Sequence, residues 1–313
     1  MGKLYDLIEF RNELAQQLDF LRVDLDIHNR INLLKKIKSK FPNQAEYINR
    51  KIVEYLTLAE QSIRIIAEFD EKFSELNQEI DDTAISMFNI DDYYNDFQEK
   101  NIQGPHFQEL IVTDNISSCL VSKITQYSDW HYPALQISPR HKKWIDSMVA
   151  GDPLYLTHIN VEIVRELTQT YPSLYQSRLR LYEINDRDFS VLPQTQFGFV
   201  LCWDNFNYLS LDKIEKYIRE VWKLLRPGGH FIFSYSNCDL EGTALRAENW
   251  ACSYSNSRWL IKLLKEIGYK IIELYDDETG DAFNTHTSWA DIKKPDDLKT
   301  VKAAQAMAQI IAK

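Results

Sequence analysis

Arg226-Pro227-Gly228-Gly229 divides an amphipathic run, Leu211 to Leu225, from a short aromatic run of high β propensity, His230 to Tyr235. A helix that stops at a Pro-Gly-Gly corner and gives way at once to an apolar segment is a helix-to-buried-strand junction. The flanks of this corner commit the chain to helices packed on an internal sheet.

The surrounding segments alternate in the same sense. Ala134 to Ile137, Pro153 to Thr157, Leu179 to Ile184 and Phe197 to Trp203 read as strands. Between them lie helical patterns over Lys142 to Ala150, closed by Gly151, and Val161 to Thr170, with Asn160 as its cap. After the corner come a polar insertion from Asn237 to Tyr254, a helix Ser257 to Ile267 ending at Gly268, a strand Tyr269 to Tyr275 and a last strand around Thr285 to Ile292. Strands alternating with helices imply right-handed crossovers and a parallel sheet, with ligands beyond the strands' carboxyl ends.

The first ninety residues have a different rhythm. Ile48, Ile52, Tyr55, Ala59, Ser62, Ile66, Phe69, Phe73, Leu76 and Ile80 recur at steps of four and three, a heptad seam on one long helix. Leu4, Leu7, Leu14, Leu18, Leu21 and Leu25 repeat it earlier, with Arg11 interrupting. Phe41-Pro42-Asn43 breaks the pattern, which predicts an antiparallel helical hairpin (coiled coil) with arms of about 50 Å at 1.5 Å per residue. Phe10, Ile63 and Ile65 add apolar surface beyond a two-helix seam. The hairpin is either a layer on its own domain or an arm for oligomerisation or docking.

Composition narrows the function. Forty-six acidic against 36 basic side chains leave a net charge of -10, which repels a phosphate backbone and argues against nucleic acid as partner. Cys119, Cys202, Cys238 and Cys252 lack metal-ligand spacing and read as reduced core or cleft thiols, so no metal is expected. No apolar run approaches the roughly 20 residues of a membrane span, and the N-terminus has no apolar signal core. The expected location is intracellular, in the cytoplasm.

The order of strands and helices over Gln108 to Lys293 resembles the class I S-adenosylmethionine-dependent methyltransferases. The resemblance is carried by Asp152 to His158, Gln194 to Val200 and Lys223 to Gly229. It implies a Rossmann-like sheet of seven strands, the last antiparallel and inserted between the fifth and sixth. The expected organisation is a helical hairpin over 1–90, a connector over 91–107, the methyltransferase-like domain over 108–293 and a docking helix over 294–313.

The resemblance also implies a cofactor site, and the sequence departs from it. Where the family has acidic-x-Gly-x-Gly-x-Gly after the first strand, this chain has Gln136-Ile137-Ser138-Pro139-Arg140-His141-Lys142. The acid is an amide, the glycines are gone, and Arg140 and Lys142 bring positive charge toward a sulfonium. A Cβ at a strained position costs on the order of 1–3 kcal/mol. The family's second strand ends in an acid that takes both ribose hydroxyls, and this one ends in His158, which makes one such bond. Asn160 is a further ribose candidate, Asn185 and Asp186 are candidates for adenine, and Trp203 is a further cofactor-binding candidate. In the run Trp203 to Tyr208, Asp204 is the candidate general base for an acceptor hydroxyl; the competing account is that Asp204 and Asn205 cap a turn and the aromatics pack beneath the hairpin. Arg140 and Lys142 at a helix start also suit a phosphate or carboxylate.

Two functions follow from the resemblance. One is an active methyltransferase of a small molecule, glycan or protein, with S-adenosylmethionine as cofactor. The other is a degenerate, non-catalytic pseudoenzyme that serves as an assembly component, docking or self-associating through the hairpin and the amphipathic helix Thr300 to Ala312. The stretch from Tyr127-Ser128-Asp129-Trp130 to the Pro-Gly-Gly corner is similar to proteins of marine bacteriophages and bacteria, which makes a virion component in an infected bacterial host the specific form of the second reading.

Overall fold

The computed structural model describes residues 3–23, 27–87, 114–184, 188–248, 252–276 and 288–296. The chain divides into two compact units, Met1–Met87 and Phe88–Lys313.

The first unit is helical. Helix α1 spans Lys3–Val23, α2 spans Ile27–Lys40 and α3 spans Ala45–Met87. At 43 residues α3 is about 65 Å long. A single 3-10 turn, Pro42–Gln44, joins α2 to α3, where Pro42 starts a turn that needs no amide hydrogen from it. Both α1 and α2 pack on α3. The long helix keeps the heptad rhythm: Ile48, Leu76 and Ile80 are buried, and the seam positions from Ile52 to Phe73 are half-buried. Leu4, Ile8 and Arg11 are buried on α1, and the Arg11 guanidinium donates to Asn12 Oδ1 at 3.1 and 2.6 Å. The side chains of Leu18, Leu21 and Leu25 lie outside the described set.

The second unit is a seven-stranded sheet in the order β3-β2-β1-β4-β5-β7-β6. The strands are β1 Ala134–Ile137, β2 Leu154–His158, β3 Leu179–Glu183, β4 Phe197–Cys202, β5 Leu225–Tyr235, β6 Lys270–Asp276 and β7 Ser288–Lys293. β1 to β5 run parallel, and β7 is antiparallel to both β5 and β6. This is the Rossmann-like methyltransferase order that the sequence implies. Two apolar layers flank it. Leu135, Val200 and Phe231 face Ile218, Val221 and Leu264 on one side; Ala134, Phe199 and Ile232 face Leu120, Ile124 and Trp144 on the other.

The helices Leu211–Leu224 and Ser257–Ile267 carry the clearest amphipathic patterns, and the second ends at Gly268 with φ 106°. Asn256 caps it by accepting the Trp259 amide at 2.8 Å. Three features differ from expectation. The Pro-Gly-Gly corner is a bulge inside β5: Leu225 already pairs with Phe197 before His230 pairs with Phe199. The described residues of the insertion after β5 are mostly buried and include a helix, Glu241–Glu248. A helix Asp114–Tyr127, with no expected counterpart, packs on the sheet through Leu120 and Ile124. The expected connector 91–107 and docking helix Thr300 to Ala312 lie outside the described residues. Among the described residues, no helix is long and apolar enough to cross a membrane.

Candidate functional site

The carboxyl ends of β1, β2 and β4 lie side by side, with Ile137 opposite Thr157 on one flank and Cys202 on the other. The chain leaves β1 sharply. Ser138 donates its amide to the Thr157 carbonyl at 2.7 Å and adopts φ 47°, a left-handed conformation that an L residue resists. Gln136, Ser138 and Pro139 are buried, and Gln136 Oε1 has no hydrogen-bond partner.

Arg140 then turns back over the sheet. Its guanidinium lies 5.5 Å from the centre of the Tyr208 ring, and its charge acts on His158, Cys202 and Tyr208. Lys142 goes elsewhere: its ammonium donates to Thr170 Oγ1 at 2.7 Å and lies 4.5 Å from the Tyr171 ring centre. The paired Arg140 and Lys142 anion site expected at this helix start is therefore not assembled.

His158 is 9% exposed, and its Nδ1 accepts the Asn160 amide at 3.0 Å, so a neutral ring carries its proton on Nε2. Burial, and after it the Arg140 charge, lower its pKa to about 4. Asn160 Oδ1 accepts the Glu162 amide at 3.1 Å, which commits that oxygen to capping the helix Val161–Thr168. Asn185 and Asp186 lie outside the described residues.

The segment after β4 is a buried polar web. Asp204, with φ 54° and 1% exposure, donates its amide to Ser234 Oγ at 2.7 Å and accepts the Tyr208 hydroxyl on Oδ1 at 3.0 Å. Ser234 donates to Asn207 Oδ1 at 2.8 Å, and the Asn207 carbonyl accepts both the amide and the hydroxyl of Ser253, at 2.7 and 3.0 Å. This web ties the β4 loop to the end of β5 and to the segment before helix Ser257–Ile267. The aromatics of the loop are core residues of the second unit itself: Trp203 packs on Trp144 at 5.5 Å, and Phe206 packs on Phe233 at 5.2 Å and Tyr217 at 5.4 Å.

The same region brings together two cysteines that the sequence separates by 14 positions. Both Cys238 and Cys252 are free and buried, and their thiols lie 3.9 and 3.8 Å from the Thr243 carbonyl. Burial, and after it the neighbouring Cys252 thiol, push the Cys238 thiol up, while the interaction with Cys238 lowers Cys252. Among the described residues, no group of three or more His, Cys, Asp or Glu side chains has a metal-binding arrangement.

No family model matches the chain, and no curated protein matches it. Solved structures of methyltransferases do resemble it. The N-methyltransferase NodS of Bradyrhizobium japonicum WM9 is 12% identical over 59% of this chain and 99% of that one, with a TM-score of 0.45. The geranyl diphosphate C-methyltransferase of Streptomyces coelicolor A3(2) is 6% identical over 57% and 80%, with a TM-score of 0.46. The 1,6-didemethyltoxoflavin-N1-methyltransferase of Burkholderia thailandensis is 14% identical over 66% and 87%, with a TM-score of 0.42. The strand order and the antiparallel β7, rather than these likenesses, give the second unit its class I methyltransferase fold.

Proposed function

We propose that the chain is a non-catalytic assembly component, of the kind a virion uses, built on a methyltransferase fold that no longer takes its cofactor. The observation that carries this reading is the position of Arg140. Its guanidinium lies over Tyr208, with its charge reaching the ends of both β2 and β4. S-adenosylmethionine would bring a sulfonium to a site that already holds a fixed cation and has Gln136 and His158 in place of two acids. At an effective dielectric near 20, two like charges 6 Å apart repel by roughly 3 kcal/mol, about a hundredfold in affinity. The residues present do not fit that cofactor. Asp204 is fully buried in the β4 web, where its carboxylate organises Tyr208 rather than an acceptor.

The hairpin supplies the means of assembly. Val53, Leu56 and Ile63 on one flank of the α3 seam, and Leu58 and Ile65 on the other, are between 42 and 62% exposed. They continue the half-buried seam outward on both sides, which suits a second copy of the hairpin in a four-helix bundle.

The test is calorimetric titration with S-adenosylmethionine and S-adenosylhomocysteine, alongside the protein's mass in solution. The expected result is no binding at millimolar ligand and a dimer or larger species that dissociates in the double variant Val53→Glu, Ile63→Glu. Micromolar binding of either ligand would overturn the reading and restore an enzyme whose acceptor lies near Asp204. A monomeric wild-type chain would transfer the hairpin to a different protein partner.

A further inference from the structure

Arg246 is a buried cation without a visible counter-ion. It lies in helix Glu241–Glu248, is 8% exposed, and among the described residues makes no hydrogen bond or ion pair; its Nε is fully buried and has no partner. An arginine keeps its charge in a protein, so taking it out of water with no acceptor is costly. One turn earlier on the same face is Thr243, 1% exposed, whose hydroxyl is also buried without a partner. Two unsatisfied donors on one helix face call for an acceptor between them.

Two positive charges act on the Tyr208 hydroxyl. The Arg246 charge reaches the Tyr208 hydroxyl and the Cys252 thiol, and Arg140 approaches the Tyr208 ring from its own loop. Asp204, which accepts the Tyr208 hydroxyl at 3.0 Å, is the negative group acting on that hydroxyl, so two guanidinium groups face one carboxylate. Glu248, two positions beyond Arg246, does not share its helix face. The Tyr208 and Cys252 pKa values are both perturbed at this place, Tyr208 upward chiefly by burial.

We infer that Arg246 and Thr243 form a binding site for an oxyanion, the carboxylate or phosphate group of a small molecule, beside the carboxyl ends of β4 and β5. A planar guanidinium presents two parallel N–H groups to such an oxyanion, and the threonine hydroxyl supplies a third donor. The site stands whether or not the fold retains catalysis, because it lies on the inserted helix and uses none of the residues that replace the cofactor loop.

The test is thermal melting of the full chain in inorganic phosphate and, separately, in acetate, each against chloride at matched ionic strength. Phosphate or acetate is expected to raise the melting temperature above the chloride value, and the stronger of the two identifies the group. In Arg246→Met the anion's apparent affinity falls at least tenfold, while the variant melts no lower than the parent in chloride, because an uncompensated buried cation has been removed. Arg246→Lys keeps the charge, loses the planar fork, and binds more weakly than the parent. No rise over chloride with either anion, or a rise of equal size in Arg246→Met, would overturn the site. So would an Arg246→Met chain that melts below the parent by the same amount in every buffer, since the arginine would then be structural.

Discussion

The Asp291 carboxylate on β7 accepts the Tyr127 hydroxyl at 2.8 Å, joining the helix Asp114–Tyr127 to the sheet across 164 positions of sequence. The same oxygen accepts the Lys123 ammonium at 2.8 Å, and the other lies 3.3 Å from His230 Nδ1. Tyr127 stacks on the His230 ring with centroids 3.8 Å apart. Lys123 also pairs with Glu273 on β6 at 2.7 Å, so one helix face is held by β5, β6 and β7 together. Asp291 itself is completely buried.

Asp291→Asn should therefore destabilise the second unit by about 3 kcal/mol, the range for removing one partner of a buried pair. Burial pushes the Asp291 pKa up, but the hydrogen bonds from His230, Lys123 and Tyr127 outweigh it and the net shift is downward. A carboxyl with a depressed folded pKa gives stability that is complete above its unfolded value, near 4, and is lost as pH falls through the folded value. Urea unfolding at pH 7 and pH 3 checks both points: the variant should lose stability at pH 7 and show a shallower acid limb than the parent.

His158 predicts a second pH dependence of distinct origin. With a folded pKa of about 4 against 6.5 unfolded, the unfolded chain binds more protons between those values. Stability from this group is present above pH 6.5 and is lost as pH falls toward 4, by roughly 3 kcal/mol in total at 1.36 kcal/mol per unit. His158→Gln cannot titrate and should remove the slope between pH 4 and 6.5. An unchanged slope would mean that the ring opens to water when protonated.

The Pro-Gly-Gly bulge distinguishes its two glycines. A Cβ at Gly229 would sit 2.7 Å from the Phe197 carbonyl and 3.0 Å from the Arg226 carbonyl, both backbone atoms that cannot turn aside. Gly228 has φ 78°, and its nearest obstacle is the movable end of Asp296. Gly229→Ala should cost about 1–3 kcal/mol by forcing β4 and β5 apart, and Gly228→Ala about 1 kcal/mol from its left-handed backbone. Melting of the two single variants ranks them, and the reverse order would place the strain in the backbone angle rather than the contact.

The first unit allows a local test. Ile80 is fully buried and Ile63 is 62% exposed, although both are isoleucines on the same helix. Ile80→Ala should cost 2–5 kcal/mol from lost burial and the cavity left behind, whereas Ile63→Ala in a monomeric preparation should change melting by less than about 0.5 kcal/mol. Helicity at 222 nm during thermal unfolding reads both.

What the sequence made legible was whatever repeats. The α3 seam, from Ile48 to Ile80, and the helix Ser257–Ile267 with its left-handed Gly268 were readable because a single period of 3.6 decides which face is buried. β1, β2, β3, β4 and β6 emerged within a residue of their ends, whereas β5 begins at Leu225, five residues before the aromatic run that marked it. The helix Glu241–Glu248 was not legible: its buried residues include Gly242, Thr243 and Arg246, so polarity masked a core position. Pairings such as Tyr127 with Asp291, or Cys238 with Cys252, come from topology and have no local signal. At the candidate site, sequence identified Gln136, Ser138, Arg140 and His158 as the departures from a cofactor loop. Only the backbone shows that Ser138 still takes the left-handed turn, and only the packing shows that Arg140 folds back while Lys142 does not.

That retained turn leads to the last prediction. A left-handed L residue costs about 1–2 kcal/mol relative to its right-handed conformation, and glycine gives back about 0.5–1 kcal/mol of this through its larger entropy loss on folding. Ser138→Gly should therefore stabilise the second unit by roughly 0.5–1 kcal/mol in urea unfolding, since φ 47° suits glycine and the Ser138 amide keeps its bond to Thr157. The same variant should not bind S-adenosylmethionine, because the Arg140 charge remains over Tyr208. Ser138→Gly combined with Arg140→Ala removes both obstacles, the strained turn and the cation. Weak binding that appears only in the double variant would assign the loss of cofactor to Arg140 rather than to the missing glycine. Binding already present in Ser138→Gly would assign it to the backbone, and would make the electrostatic argument for an architectural role untenable.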